Sequence, residues 1–210
     1  MYSTRIFLPL LFFTASLSTY AQSPRKVLDA TADCLVKQGA VKAQFKATQF
    51  AGTTQQGVST GTIHMNGTCF MIDTDELKAW YDGKTQWSLM NGSNEVNVSE
   101  PDEAEIASVN PAVLVNFYKR GFKCSMTKAT LRGRATFVIH LWPKRKDFEY
   151  SDIYLDIDQE TYHPLCIRAK HNGDWVRLSI LSFQNGLKLP NSTFTFPQQD
   201  YPDAEIIDLR

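Results

Sequence analysis

Apolar and polar side chains alternate with a period of two along most of this chain, and turn chemistry cuts the alternation into short runs. Val41, Ala43, Phe45 and Ala47 alternate with Lys42, Gln44, Lys46 and Thr48, the pattern of a strand with one wet face. Further strand runs read Val58 to Met65, Cys69 to Asp73, Phe122 to Leu131, Arg134 to Trp142, Tyr150 to Ile157, Leu165 to Lys170, Trp175 to Phe183 and Ser192 to Phe196. Between them fall Gly52 to Gly57, Asn66-Gly67, Arg132-Gly133, Pro143 to Asp147, Asp158 to Thr161, Asn172-Gly173 and Asn185-Gly186, all suited to turns. Trp80 to Pro101 is a three-strand meander turning at Asp82-Gly83, a pair suited to a type I′ hairpin, and again at Asn91 to Asn94. About a dozen strands in one sheet is enough for the sheet to curl rather than stay flat.

Two places break the period. Ser23 and Pro24 open a helix that Gly39 closes, with Val27, Leu28, Thr31, Cys34 and Leu35 on one face and Arg25, Lys26, Asp29 and Lys37 elsewhere. Pro101 to Val109 and Pro111 to Tyr118 read as two short helices whose apolar side holds Ile106, Val109, Val113, Leu114 and Phe117. The fold class expected is mainly β with an α lid: a strongly curved antiparallel sheet, an incomplete β-barrel, with its concave side covered by helices. Asp200 to Arg210 reads as a terminal strand or tail held by Ile206 and Ile207.

Residues 1–21 have the pattern of a cleavable secretory signal: Arg5, then an apolar stretch from Ile6 to Ala15, then Thr19-Tyr20-Ala21. Pro9 and the polar residues that follow make the run too short for a membrane span. Residues 22–210 are then one domain. Lys and Arg number 22 against 22 Asp and Glu, so removal of Arg5 with the leader leaves a net charge of −1. That balance gives no electrostatic case for nucleic acid. Cys34, Cys69, Cys124 and Cys166 fit two disulfides or four buried thiols equally well. No finger-like spacing of cysteine and histidine points to a metal.

Candidate chemistry is sparse. Gly57 to Gly61 spells G-x-S-x-G around Ser59, but the elbow of a hydrolase needs a strand-to-helix turn, and the residues that follow read as strand. His64, His140, His163 and His171 have no ligand or base spacing. Glu100, Asp102, Glu103 and Glu105 suit a helix's first turn better than acid/base work. The chain reads as a non-enzyme without cofactor, metal or catalytic residues. Its positive signal is aromatic: Phe45, Phe70, Trp80, Trp87, Phe137, Trp142, Tyr154, Trp175 and Phe183 all fall on strands.

The order of segments resembles the LolA family of periplasmic lipoprotein carriers, in its Bacteroidetes-type branch. The resemblance rests on the signal, the opening helix, G-x-I-x-M at Gly61 to Met65, Phe70, and Asp82-Gly83-Lys84-Thr85-Gln86-Trp87, which echoes the family's D-G-K-T-x-W. Glu95 to Val98, Ile106 to Pro111 and Pro202 to Arg210 extend it over nearly the whole mature chain. It implies a monomeric carrier that takes acyl chains of lipoproteins into an apolar cavity and moves them from the inner to the outer membrane. It also implies loading by an inner-membrane lipoprotein-releasing ABC transporter, with the outer-membrane acceptor left open. The cavity is expected to use Phe45, Phe70, Trp80, Trp87, Phe137 and Ile139 from the sheet, with Ile106, Leu114 and Phe117 from the lid. One departure stands out: where the well-studied branch has an Arg-Pro pair whose arginine holds the lid, this chain has Asn66 and Gly67. The alternatives are a lipid or lipoprotein sensor on the same fold, and a lipid hydrolase using Ser59.

Overall fold

In the computed structural model, which describes residues 22–102, 105, 106, 119, 121–145 and 150–210, strand residues dominate. Helix α1 (Pro24–Val36) is followed by β1 (Ala40–Ala51), β2 (Thr54–Asn66), β3 (Cys69–Thr74), β4 (Leu77–Tyr81), β5 (Gln86–Met90) and β6 (Glu95–Ser99). Then come β7 (Phe122–Leu131), β8 (Arg134–Pro143), β9 (Tyr150–Asp158), β10 (Pro164–His171), β11 (Asp174–Leu187) and β12 (Glu205–Asp208). All twelve strands form one sheet in the order β12-β6-β5-β4-β3-β2-β1-β11-β10-β9-β8-β7. Every pairing is antiparallel except β12 on β6. The sheet is curved and unclosed, with β7 and β12 at its edges.

The helix begins where the sequence places it. Ser23 caps it by accepting a hydrogen bond from the Lys26 N–H, and Pro24 supplies a pre-set φ. Val27, Leu28, Thr31, Cys34 and Leu35 are buried together with Ala32, so the apolar stripe lies in the concave side of the sheet. The end differs: Lys37 is the C-cap, bonding back to the Asp33 carbonyl. Gly39, with φ +88°, instead lets the chain turn into β1, where a Cβ would stand 3.1 Å from the backbone of Gly186 and Leu187.

Turn residues do several different jobs. Arg132-Gly133 and Asn172-Gly173 both have positive φ at each position, the two-residue I′ geometry of tight hairpins. Asp82-Gly83 does not: the loop spans residues 82–85, and the Asp82 carboxylate accepts from the Lys84 and Thr85 N–H groups, each at 2.9 Å. Around Asn66-Gly67 the central pair is Gly67-Thr68, because Asn66 is already paired with Cys69. Asn185-Gly186 ends no strand, since β11 continues to Leu187 opposite Ala40. Most of Gly52 to Gly57 is strand as well, with β2 starting at Thr54. Ser192 to Phe196, expected as a strand, holds a 3-10 turn over Asn191–Phe194 that buries Phe194.

Of the two expected lid helices, only a beginning falls within the described residues. Asp102 and Glu105 form a reciprocal capping box, each carboxylate accepting from the other's backbone N–H at 2.8 Å. The cap is thus Asp102 and Pro101 lies just outside it. Ile106 packs against the main core. Leu114, Phe117 and the rest of the expected lid lie outside the described residues.

The two faces of the sheet are covered separately. On the concave face α1 meets Val41, Phe45, Ile63, Met65, Phe70, Tyr81, Phe137, Ile139, Leu141, Leu155 and Ile157 in one core. On the outer face Trp80, Leu89 and Val96 form a second cluster under Phe196, Tyr201 and Ala204. All four cysteines are free thiols, Cys34 and Cys166 buried. Of the two readings left open for them, the structure has the thiols.

Asp158 fixes the corner between β9 and β10. One carboxylate oxygen accepts from the Thr161 N–H, the Thr161 hydroxyl and the Glu160 N–H, and the other meets Arg134 Nε at 2.7 Å. Burial alone would raise its pKa, but these donors and the Arg134 charge outweigh burial and hold it below the ordinary aspartate value. A lowered folded pKa stabilises the native state above the ordinary value near 4, and that contribution is lost as pH falls through the lower one. Asp158→Asn is therefore expected to cost about 1–3 kcal/mol at pH 7. It also flattens the loss of stability below about pH 4 in urea titrations.

Candidate functional site

A cavity of about 250 Å³ lies between α1 and the middle of the sheet, just under the roughly 300–1,000 Å³ of small-molecule sites. Its floor is β1, where small Ala43 and Ala47 flank Phe45; β2 adds Ile63 and Met65. β11 supplies Leu178, Ile180 and Phe183, and Leu35 closes it from α1. Every residue lining it is apolar. No polar side chain lines it, so a guest held there is held mainly by removal of hydrocarbon from water.

Local sequence explains the hollow. Register between β1 and β11 shifts between Gln44 and Phe45, which leaves Leu181 unpaired and 56% exposed, a bulge of the kind that bends its own strand. Phe45 faces Gly61 across β2. A Cβ on Gly61 would come within 2.5 Å of the Asp73 carbonyl and 3.0 Å of the Phe45 ring, so only glycine lets the ring lie against the strand. The alanines beside Phe45 leave the rest of the space empty. The last glycine of the G-x-S-x-G spelling thus serves packing, and Ser59 sits in mid-strand opposite Ala47, without the strand-to-helix turn of an elbow.

Of the residues expected to line the site, Phe45 does so. Phe137 and Ile139 belong to the same concave core, with Phe137 stacked on Tyr162 at 6.3 Å. Phe70 is completely buried and stacks on Tyr81 at 5.3 Å. Trp80 and Trp87 are on the other side of the sheet: alternation along β4 sends Tyr81 into the main core and Trp80 outward. Trp80 meets Phe196 edge-on at 5.3 Å, and Trp87 packs in the same outer cluster. Asn66 is exposed at the end of β2, and Gly67 follows with φ +62°. Among the wall residues that sequence reading passed over are Ile63, Met65, Leu178 and Ile180. Their signal was present as alternation, but nothing marked them as lining space instead of filling it.

The histidines have structural settings. His140 Nε2 donates to the Asp152 carboxylate at 2.9 Å, and the ring stacks on Tyr154. His163 stacks on Phe183 at 4.3 Å, and burial pushes its pKa down. Among the described residues no group of three or more His, Cys, Asp or Glu is placed to hold a metal. No helix among them is long and apolar enough to cross a membrane.

An open, curved antiparallel sheet with a helix laid in its concave side and an apolar cavity beneath is a binding fold. A family model described as outer membrane lipoprotein carrier protein LolA matches residues 15–173, and the chain belongs to that family. Among solved structures, the Mycobacterium tuberculosis lipoprotein LppX is similar with a TM-score of 0.50 at 9% identity, covering 80% of this chain and 98% of that one. A LolA-superfamily protein of Nitrosomonas europaea has a TM-score of 0.46 at 10% identity, covering 84% and 99%. The Pseudomonas aeruginosa MucA/MucB complex gives 0.44 at 14% identity, covering 88% and 63%. No curated protein sequence matches.

Gly61→Val tests the packing account of the motif. It is expected to destabilise the fold by about 1–3 kcal/mol in urea unfolding through overpacking against Phe45 and Asp73. Ser59→Val is expected to stay within about 0.5 kcal/mol.

Proposed function

We propose that this chain is a periplasmic carrier that shelters acyl chains of lipoproteins in its apolar cavity and moves them from the inner to the outer membrane. The observation that carries the reading is the cavity itself, hydrocarbon on every wall, at the bend of an open sheet in a chain of the LolA family. A sixteen-carbon chain has about 12 kcal/mol of transfer free energy at ~0.8 kcal/mol per CH₂. Crossing an aqueous compartment therefore requires a protein-lined apolar surrounding. No reactive group is needed, because the work is binding and release.

Residues 1–21 would direct export and be removed. An inner-membrane lipoprotein-releasing ABC transporter would load the carrier, and an acceptor at the outer membrane would unload it. An open sheet favours exchange, because no closed barrel wall surrounds the cavity. Asn66, uncharged where the well-studied branch has arginine, would hold a lid less strongly than the family's arginine does.

Mass spectrometry of protein purified natively from the envelope is expected to find acylated peptide or lipid bound to the wild type. Ala47→Phe, which fills the cavity next to Phe45, is expected to lower acyl-chain uptake at least tenfold while thermal unfolding stays cooperative. Wild-type protein that never carries an acyl group, and extracts no lipoprotein from membranes, would contradict the reading.

A further inference from the structure

The apolar cavity has a direction. Its lining follows β1 in three tiers set by register with the neighbouring strands: Ala47 opposite Leu178, Phe45 between Gly61 and Ile180, and Ala43 between Ile63 and Phe183. Exposure falls along that line. Val176, in register with Gln49 just beyond the first tier, is 37% exposed, and Ala47 and Leu178 are half-buried. At the other end Ala43 is 2% exposed, and Met65 and Leu35 are 1% each. Phe183, half-buried there, is covered by the His163 ring at 4.3 Å. Among the described residues, then, the cavity opens at Val176 and is closed beneath Leu35.

Volume limits what that blind end can take. An apolar cavity of about 150 Å³ holds benzene, a molecule of six carbons. At the same packing, about 250 Å³ holds about ten carbons. That is one chain, or part of a long one, and not the two or three chains of a diacyl or triacyl amphiphile. Phe45 stands midway along the line, its ring drawn against Gly61, so the space continues past it to Ala43. The side chains at positions 45 and 43 therefore decide how far inward a guest can reach.

We infer that the cavity is a length gauge for a single acyl chain. The chain enters tail-first at Val176, passes Phe45 and stops at the tier of Ala43, with about ten carbons inside. This rests on the carrier reading and names the class of cargo: an amphiphile with one chain in the cavity, its head in water beside the exposed Gln49. Ala43 and Phe45 determine specificity. A methyl at the closed end leaves room for the last carbons, and a larger side chain there takes that room without touching the mouth. Burial raises affinity about fourfold per CH₂. The gain ends where the wall does, because the next carbon stays in water.

The test is calorimetric titration of the mature chain with lysophosphatidylcholines of six to fourteen carbons, each below its micelle concentration. Wild-type affinity is expected to climb about fourfold per carbon to about ten carbons and then level off. Ala43→Phe is expected to bring the break to a shorter chain while six-carbon binding persists, and that retained binding reports an intact fold. Ala43→Val, a smaller change for the packed wall, is expected to move the break the same way by fewer carbons. Phe45→Ala is expected to move it to a longer chain. An affinity that climbs unbroken through fourteen carbons overturns the proposal and leaves the carrier reading standing. So does a break that stays in place in the Ala43 and Phe45 variants, or a break that Ala47→Phe shortens while Ala43→Val abolishes binding of every length, since that reverses the direction of entry. If no chain of any length binds wild type, the carrier reading falls and this inference with it.

Discussion

β1 carries two antiparallel ladders, to β2 on one side and to β11 on the other, and so joins the N-terminal meander to the C-terminal strands. Its side chains also divide the interior into filled and empty parts. Val41 is completely buried in the core, while Ala43 and Ala47 face the cavity. The shift in register at Phe45 puts a bulge in β11 beside those small side chains. Without the bend the sheet would lie flatter and α1 would close on it. Without the alanines the bend would be filled by side chains, as it is around Phe70 and Tyr81.

Much of this could be read from the sequence, because period-two alternation locates strands, and buried α1 residues fall on one stripe of a 3.6-residue period. Eleven of the twelve strands follow from that pattern and from the turn pairs, whereas Ser192 to Phe196 carries the pattern but holds a 3-10 turn. Parity was harder. Trp80 and Tyr81 are adjacent and both aromatic, so composition does not say which faces inward. The answer comes from the C-terminal segment, whose Phe196 and Tyr201 cover the outer face and claim Trp80. Distant coverage of that kind leaves no local mark. The hollow was illegible for a related reason: a small residue on a buried face can equally pack tightly against a large neighbour. Only three-dimensional register shows Gly61 beneath Phe45 and the alanines on either side.

The two faces of the sheet divide the chemistry. The concave face near β1 and β11 is hydrocarbon throughout, which suits strong but unspecific attraction for an alkyl chain. The outer face of β8 to β11 is aromatic and cationic, with its carboxylates already engaged by His140 and Arg168. Because strands present alternate residues to opposite faces, Val176 and Arg177 or Trp175 are neighbours in sequence yet belong to different surroundings.

The central claim is that hydrocarbon enters the hollow beside Phe45. It is tested most directly by intermolecular NOEs between a ¹³C-labelled acyl chain and the methyl groups of the mature protein. The account predicts contacts from the chain to Ala43, Ala47, Ile63, Leu178 and Ile180, with none to Leu89 or Val96 in the outer cluster. Contacts confined to the outer cluster, or a saturated sample with no contact to the β1 and β11 methyls, would contradict it.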